Sequence, residues 1–181
     1  IVAGDCYQIN LTQEFKGRAQ GSLLATAQAF WTLTEAPYAG YLRIGDFELL
    51  SCSPELFIDF EKNRKIITKP IKGTMPRYSD PVLDEQSKQT LKASEKDQAE
   101  NVMIVDLLRN DLSVYAETGS VKTPKLFNIE SFNQVHHMVS EVEATLKADV
   151  NPFKVLMSAL PGGSITGAPK IRAMQIIAEL E

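Results

Sequence analysis

Near the start of the chain Tyr7, Ile9 and Leu11 alternate with Gln8, Asn10 and Thr12, a period of two that predicts a half-buried strand. The period then lengthens. Leu23, Ala27, Phe30 and Trp31 recur at helical spacing behind Ser22, a residue suited to accept from first-turn amides, so 22–33 reads as a helix. Strand-like runs follow at 41–44, 48–51, 56–60 and 65–71, with Glu61-Lys62-Asn63-Arg64 as a hairpin connection between the last two. The stretches 84–91 and 95–108 read as helices, 120–127 and 135–146 as strands, and 152–160 and the terminal segment as helices. Strands come in clusters and helices in clusters, which predicts an α+β fold with largely antiparallel sheet. No repeat, low-complexity tract or linker interrupts the chain, so one domain or a piece of one is expected. The apolar-periodic helix from Ala173 to Glu181 stops without a capping glycine or asparagine, and the first residues run almost at once into a strand. Both ends are expected to lie inside a longer protein.

Three places set chemistry against packing. In 95–108, Met103, Ile104, Leu107 and Leu108 form an apolar stripe, and the same spacing leads back to Glu100 and Asp97. A buried carboxylate needs a counter-ion, and Mg²⁺ is a natural one; a salt bridge to Lys96 or Arg109, or exposure at the helix start, accounts for the acids equally well. In Pro70-Ile71-Lys72-Gly73-Thr74, a lysine at a strand end is followed by a glycine that admits a ligand and by a hydroxyl. A desolvated lysine is a nucleophile; a solvated surface lysine is the plainer reading. The third is Pro161-Gly162-Gly163-Ser164-Ile165-Thr166-Gly167-Ala168-Pro169-Lys170, which enters the last helix with Pro169 at its first position. There the free amides of Gly167, Ala168 and Lys170 would face an anion. The likeness to a phosphate loop is loose, and a turn that merely starts a helix is the alternative.

A net charge of -4 gives no long-range attraction to nucleic acid or anionic membrane, so an anionic substrate must be held by local geometry. With 44% hydrophobic and 23% charged residues the chain can bury a core, which excludes disorder. Cys6 and Cys52 lie in apolar surroundings without metal-ligand spacing and read as reduced, packed thiols of a cytoplasmic protein. No apolar run approaches the roughly 20 residues needed to span a bilayer.

The segments Gly4-Asp5-Cys6-Tyr7-Gln8-Ile9-Asn10-Leu11, Ser53-Pro54-Glu55, Pro70 to Thr74, Glu95 to Asp111, His137-Met138-Val139-Ser140 and the Gly162 to Lys170 loop closely resemble, in order and wording, the chorismate-binding family. The resemblance spans the whole chain and its motifs are highly specific. It implies the family's fold of antiparallel sheets with packed helices, here incomplete. Family members make anthranilate, isochorismate or salicylate, or aminate chorismate to 4-amino-4-deoxychorismate for 4-aminobenzoate and folate synthesis. Lys72 stands where anthranilate synthases have alanine, and Gln8 where water-using members place a lysine base. The resemblance therefore implies ammonia as nucleophile, supplied by a glutamine amidotransferase subunit or domain. It further implies that Lys72 forms a covalent intermediate and that Glu55 is the acid protonating the leaving hydroxyl. Gly73, Thr74, His137 and Ser164 would contact chorismate, as would the amides near Gly167 and Ala168. Glu100 would hold Mg²⁺, with Asp97 acting through water. Glu14 departs from the pattern, standing where many members have arginine. Members continue beyond this segment with further strands and metal-binding glutamates, so the 181 residues alone are expected to have little activity. An anthranilate-type synthase and a non-catalytic chorismate-binding fragment are the competing expectations.

Overall fold

Of the alternating run at the start of the chain only Gln8–Ile9 forms a strand, β1, because its partner, β9 (Gly167–Ala168), is itself only two residues long. The computed structural model describes residues 1–181, and these divide into two units, Ile1–Thr12 with Phe57–Glu181, and Gln13–Leu56. The sequence pattern predicts one domain; the difference arises because 13–56 packs mainly on itself.

In this smaller unit Ser22 caps α1 (Leu23–Thr34) by accepting from the Ala25 amide. A two-residue loop at Gly45 and Asp46 joins β2 (Tyr38–Ile44) to β3 (Phe47–Ser53) as an antiparallel hairpin, with Ile44 opposite Phe47. The Trp31 indole donates to the Ser51 carbonyl over 3.2 Å and fastens the helix to the hairpin.

The larger unit is organised by β8 (Val135–Thr145). The sheet runs β4 (Leu56–Phe60), β5 (Lys65–Lys69), β8, β6 (Ile71–Pro76), and β7 (Lys122–Ser131) also pairs with β8. The predicted 65–71 strand is two strands, since Pro70 has no amide to donate and breaks the ladder. Lys72 therefore lies inside β6 and not at a strand end. Along β8 the even-numbered residues His136, Met138, Ser140, Val142 and Ala144 are buried, while His137, Glu141 and Glu143 on the other face are only partly covered.

Asp80 caps α2 (Pro81–Lys92), and Ser94 caps α3 (Glu95–Ser113). The residues of α3 that enter the core are Asn101, Ile104, Val105, Leu108 and Leu112. The buried stripe thus continues back through Asn101, and Glu100 stands on its shoulder, contrary to the periodicity of Met103 and Leu107. The physical reason is polar complementarity. Asn101 Nδ2 donates to the Met138 carbonyl over 3.3 Å, the Ser140 hydroxyl donates to Asn101 Oδ1, and the Phe127 amide donates to Ser140 Oγ over 3.1 Å. This network, fully buried at Asn101 and Ser140, sets the rotation of α3 on the sheet. Asn101→Leu, which leaves a carbonyl and a hydroxyl unmatched, is expected to lower stability by about 3 kcal/mol in urea unfolding.

The chain closes with α4 (Pro152–Ala159), the single turn α5 (Gly163–Thr166) and α6 (Lys170–Leu180). Pro169 is extended and precedes α6, so it is not the first helical residue. Cys6 and Cys52 are free thiols. No helix is long and apolar enough to cross a membrane.

Candidate active site

Gly73 has φ +93°, and a Cβ there would stand 2.9 Å from both Asp97 Cβ and Leu91 Cδ1. The end of α2 and the start of α3 therefore sit directly on the backbone of β6. That contact sets Asp97 against the strand that carries Lys72, which is half-buried, and Thr74, which is exposed. Thr74 faces His137 across the β6–β8 ladder, with Thr74 Oγ1 2.9 Å from His137 Nδ1. The Phe132 ring meets the imidazole edge-on at 5.4 Å. Burial pushes the His137 pKa below its usual 6.5, opposed by a hydrogen bond to the Gly73 backbone and by the charge of Glu130. At neutral pH the ring is therefore an uncharged hydrogen-bonding group.

One turn along α3, Glu100 opens on a cleft of ≈ 390 Å³ lined by Tyr7, Gln8, Ala99, Glu100 and Met103. Its ion pair with Lys96, at 3.8 Å and with the lysine 82% exposed, contributes little. Arg109, the other partner suggested by the sequence, binds Asp106 instead. Gln8 Nε2 donates to Asn10 Oδ1 over 3.1 Å, whereas Gln8 Oε1 is buried without a hydrogen-bond partner. Gln8 thus keeps an unpaired buried acceptor and lines the same cleft as Glu100. No periodicity places it there; the β1–β9 pairing does.

That pairing also shapes the glycine-rich loop. The Tyr7 amide donates to the Ala168 carbonyl over 2.7 Å, the Asn10 amide to Thr166, and Asn10 Nδ2 to the Ser164 carbonyl over 2.8 Å. Gly167 has φ +138°, and a Cβ on it would run into the Gln8 carbonyl. Its amide donates to the Gly163 carbonyl, so it is not the free anion donor that the sequence suggests. Gly167 and Ala168 are buried and Ser164 half-buried. Gly163 packs on Leu107 and Gly162 on Phe57.

Asp97 and Glu100 are one turn apart on α3, and no group of three His, Cys, Asp or Glu side chains is gathered anywhere. Two carboxylates are an incomplete donor set. Mg²⁺ tolerates this, since it takes one or two carboxylates and fills its octahedron with water and substrate oxygens, so the residues present fit that ion. Glu55, in the smaller unit, follows β3 in a turn where its amide donates to Ser53 Oγ and its carbonyl accepts from the same hydroxyl. Its side chain is half-buried.

The neighbouring His136 has a different task. It is 1% exposed, with Nδ1 2.8 Å from Ser131 Oγ and Nε2 3.1 Å from Asp84 Oδ1. The Arg77 guanidinium and then the Tyr78 amide hold the Asp84 carboxyl down at about 2, with His136 adding to the effect. Because the folded value lies below the ordinary 3.8, Asp84 stabilises the fold fully above that pH, and the contribution is lost as pH falls towards 2. Asp84→Asn is expected to flatten the pH dependence of unfolding free energy between those limits, as read by urea titrations at several acidic pH values.

The sequence model of the family described as chorismate binding enzyme matches residues 1–181. The chain belongs to that family. It is 50% identical over 179 residues to a protein named aminodeoxychorismate synthase component 1 in Salmonella typhimurium, covering 99% of this chain and 39% of that protein. The same name is carried by an Escherichia coli K12 protein, also 50% identical over 182 aligned positions, with 99% and 39% covered. Among solved structures, anthranilate synthase component I of Streptococcus pneumoniae TIGR4 superposes with a TM-score of 0.78 at 31% identity, over 90% of this chain and 35% of that one. The α+β, largely antiparallel architecture is that of the chorismate-binding family. This family member spans about two fifths of the length of the curated relatives it matches.

Proposed function

We propose that these residues form part of a site that aminates chorismate to 4-amino-4-deoxychorismate, the precursor of 4-aminobenzoate, with ammonia delivered by a glutamine amidotransferase partner. The observation that carries this reading is Lys72 inside β6, next to a glycine whose missing side chain admits Asp97 and beside the Thr74–His137 pair. Half identity to proteins named for this activity supports it.

The allylic hydroxyl of chorismate is a poor leaving group and needs a proton, which Glu55 supplies. As the C–O bond breaks and water departs, the Lys72 amine forms a C–N bond to the ring. Ammonia then displaces that amine, forming the product C–N bond and freeing the lysine, so one difficult substitution becomes two easier ones. Gly73, Thr74, Ser164 and the neutral His137 orient the substrate. Bound Mg²⁺ would supply positive charge against the ring carboxylate, with Glu100 and, through water, Asp97 as its holders. Gln8, a neutral acceptor where water-using relatives have a basic lysine, can hold an N–H donor but is too weak a base to activate water. The free thiols suit a reducing compartment, the cytoplasm.

Chorismate, ammonium and Mg²⁺ incubated with the full-length gene product should yield an aminated product that retains its enolpyruvyl group. Release of pyruvate would instead mark an anthranilate-type synthase.

A further inference from the structure

Lys170 Nζ lies 2.7 Å from Asp111 Oδ2 and 3.3 Å from the Ala159 carbonyl. The two side chains are 15% and 13% exposed, and no other lysine or arginine ion pair in the molecule shields both members so fully. Each charge sits at the wrong end of its own helix. Lys170 opens α6, where the amide dipoles disfavour a cation, and Asp111 lies in the last turn of α3, where the carbonyls disfavour an anion. Neither helix gains from its own charge, so pairing across the two helices is what these positions serve.

The pair joins two parts of the site. α3 carries Asp97 and Glu100 in its first half and Asp111 near its end, while α6 directly follows the 162–168 segment that holds Ser164. A second cation in the first turn of α6, Arg172, reaches Asp5 just ahead of β1 at 2.9 Å, but that pair is far more exposed. With its ammonium engaged by Asp111 and Ala159, Lys170 is not a spare charge for a bound anion.

We propose that Lys170 and Asp111 are positioning residues, a strut that holds the 162–168 segment at a fixed distance from the carboxylates of α3 without touching substrate. The effect on catalysis rests on the amination reading; the effect on the segment does not. The experiment uses the full-length protein and the variants Asp111→Asn, Lys170→Met and Lys170→Arg. Amide hydrogen exchange and chorismate kinetics are measured side by side. Both disrupting variants should speed exchange at 162–168 by about tenfold or more, leave β5 and β8 at their wild-type rates, and raise KM for chorismate about tenfold with kcat changed less than about threefold. Lys170→Arg, which keeps the charge, should recover most of both effects. Wild-type exchange and KM in the disrupted variants overturn the proposal, and so does a uniform rise in exchange through the whole larger unit. If the wild-type protein shows no chorismate turnover, the amination reading falls, and the exchange measurements alone decide the strut.

Discussion

Lys72→Met in the full-length protein is expected to lower chorismate amination by about 10³-fold or more while leaving the melting temperature nearly unchanged. Methionine preserves the length and apolar stem of lysine, so β6 keeps its packing, and only the amine is lost. A half-buried site of this kind costs little to substitute, about 0.5 kcal/mol. The two numbers together carry the meaning: a residue needed for folding would lose both activity and stability, and a solvated surface lysine would lose neither. Product is quantified by chromatography and stability by thermal melting. A complementary measurement exposes the wild-type protein to an electrophilic chorismate analogue and maps the added mass to Lys72. Retention of more than about a tenth of the activity in the variant would remove the covalent intermediate from the mechanism.

The second large effect is structural. Gly167→Ala should cost about 3 kcal/mol or more, because alanine at φ +138° is strained and its Cβ would collide with the Gln8 carbonyl, which belongs to backbone and cannot swing aside. β1 then separates from β9. Gln8 leaves the cleft beside Glu100, and the amides of Tyr7 and Asn10, now bonded to Ala168 and Thr166, exchange with solvent. Gly119→Ala is the control: it shares a positive φ, +78°, but has open space around it, so only the conformational cost of about 1 kcal/mol remains. Urea unfolding of the pair separates collision from backbone strain. Equal costs for the two would show that the approach of β1 to Gly167 contributes nothing.

Much of the local structure follows from the sequence because its causes are local. Ser22 caps its helix through its own side chain, as its place ahead of the helical spacing predicts, and Asp80 and Ser94 act on theirs in the same local way. The break at Pro70 is also local in cause, a missing donor, although the run 65–71 reads as one strand through it. The family motifs, too, are contiguous words, so membership could be recognised without coordinates. The run Lys72, Gly73 and Thr74 is contiguous in the same way, so it stands out as a candidate without coordinates.

Relations across the chain needed the tertiary structure. Periodicity alone assigned Glu100 to the core face of α3, whereas Asn101 occupies it, since only the folded sheet shows that Ser140 and Met138 offer partners to an amide. The glycine at 167 is a permissive residue in sequence and a required one in the fold, because β1, more than 150 residues away, presses on it. The adjacent histidines are indistinguishable by pattern. Strand alternation sends His136 inward to Asp84 and His137 outward to Thr74, and burial then sets the charge of the latter. The Lys170–Asp111 pair runs against the preferences of both its helices and is legible only when they are seen together. Sequence by itself determined most of the element types, the cap at Ser22 and the family of this protein, since these depend on neighbours along the chain. Tertiary structure decided which polar groups are buried, which glycines are indispensable and which carboxylate opens on a cleft, since each depends on desolvation and contact between segments distant in sequence.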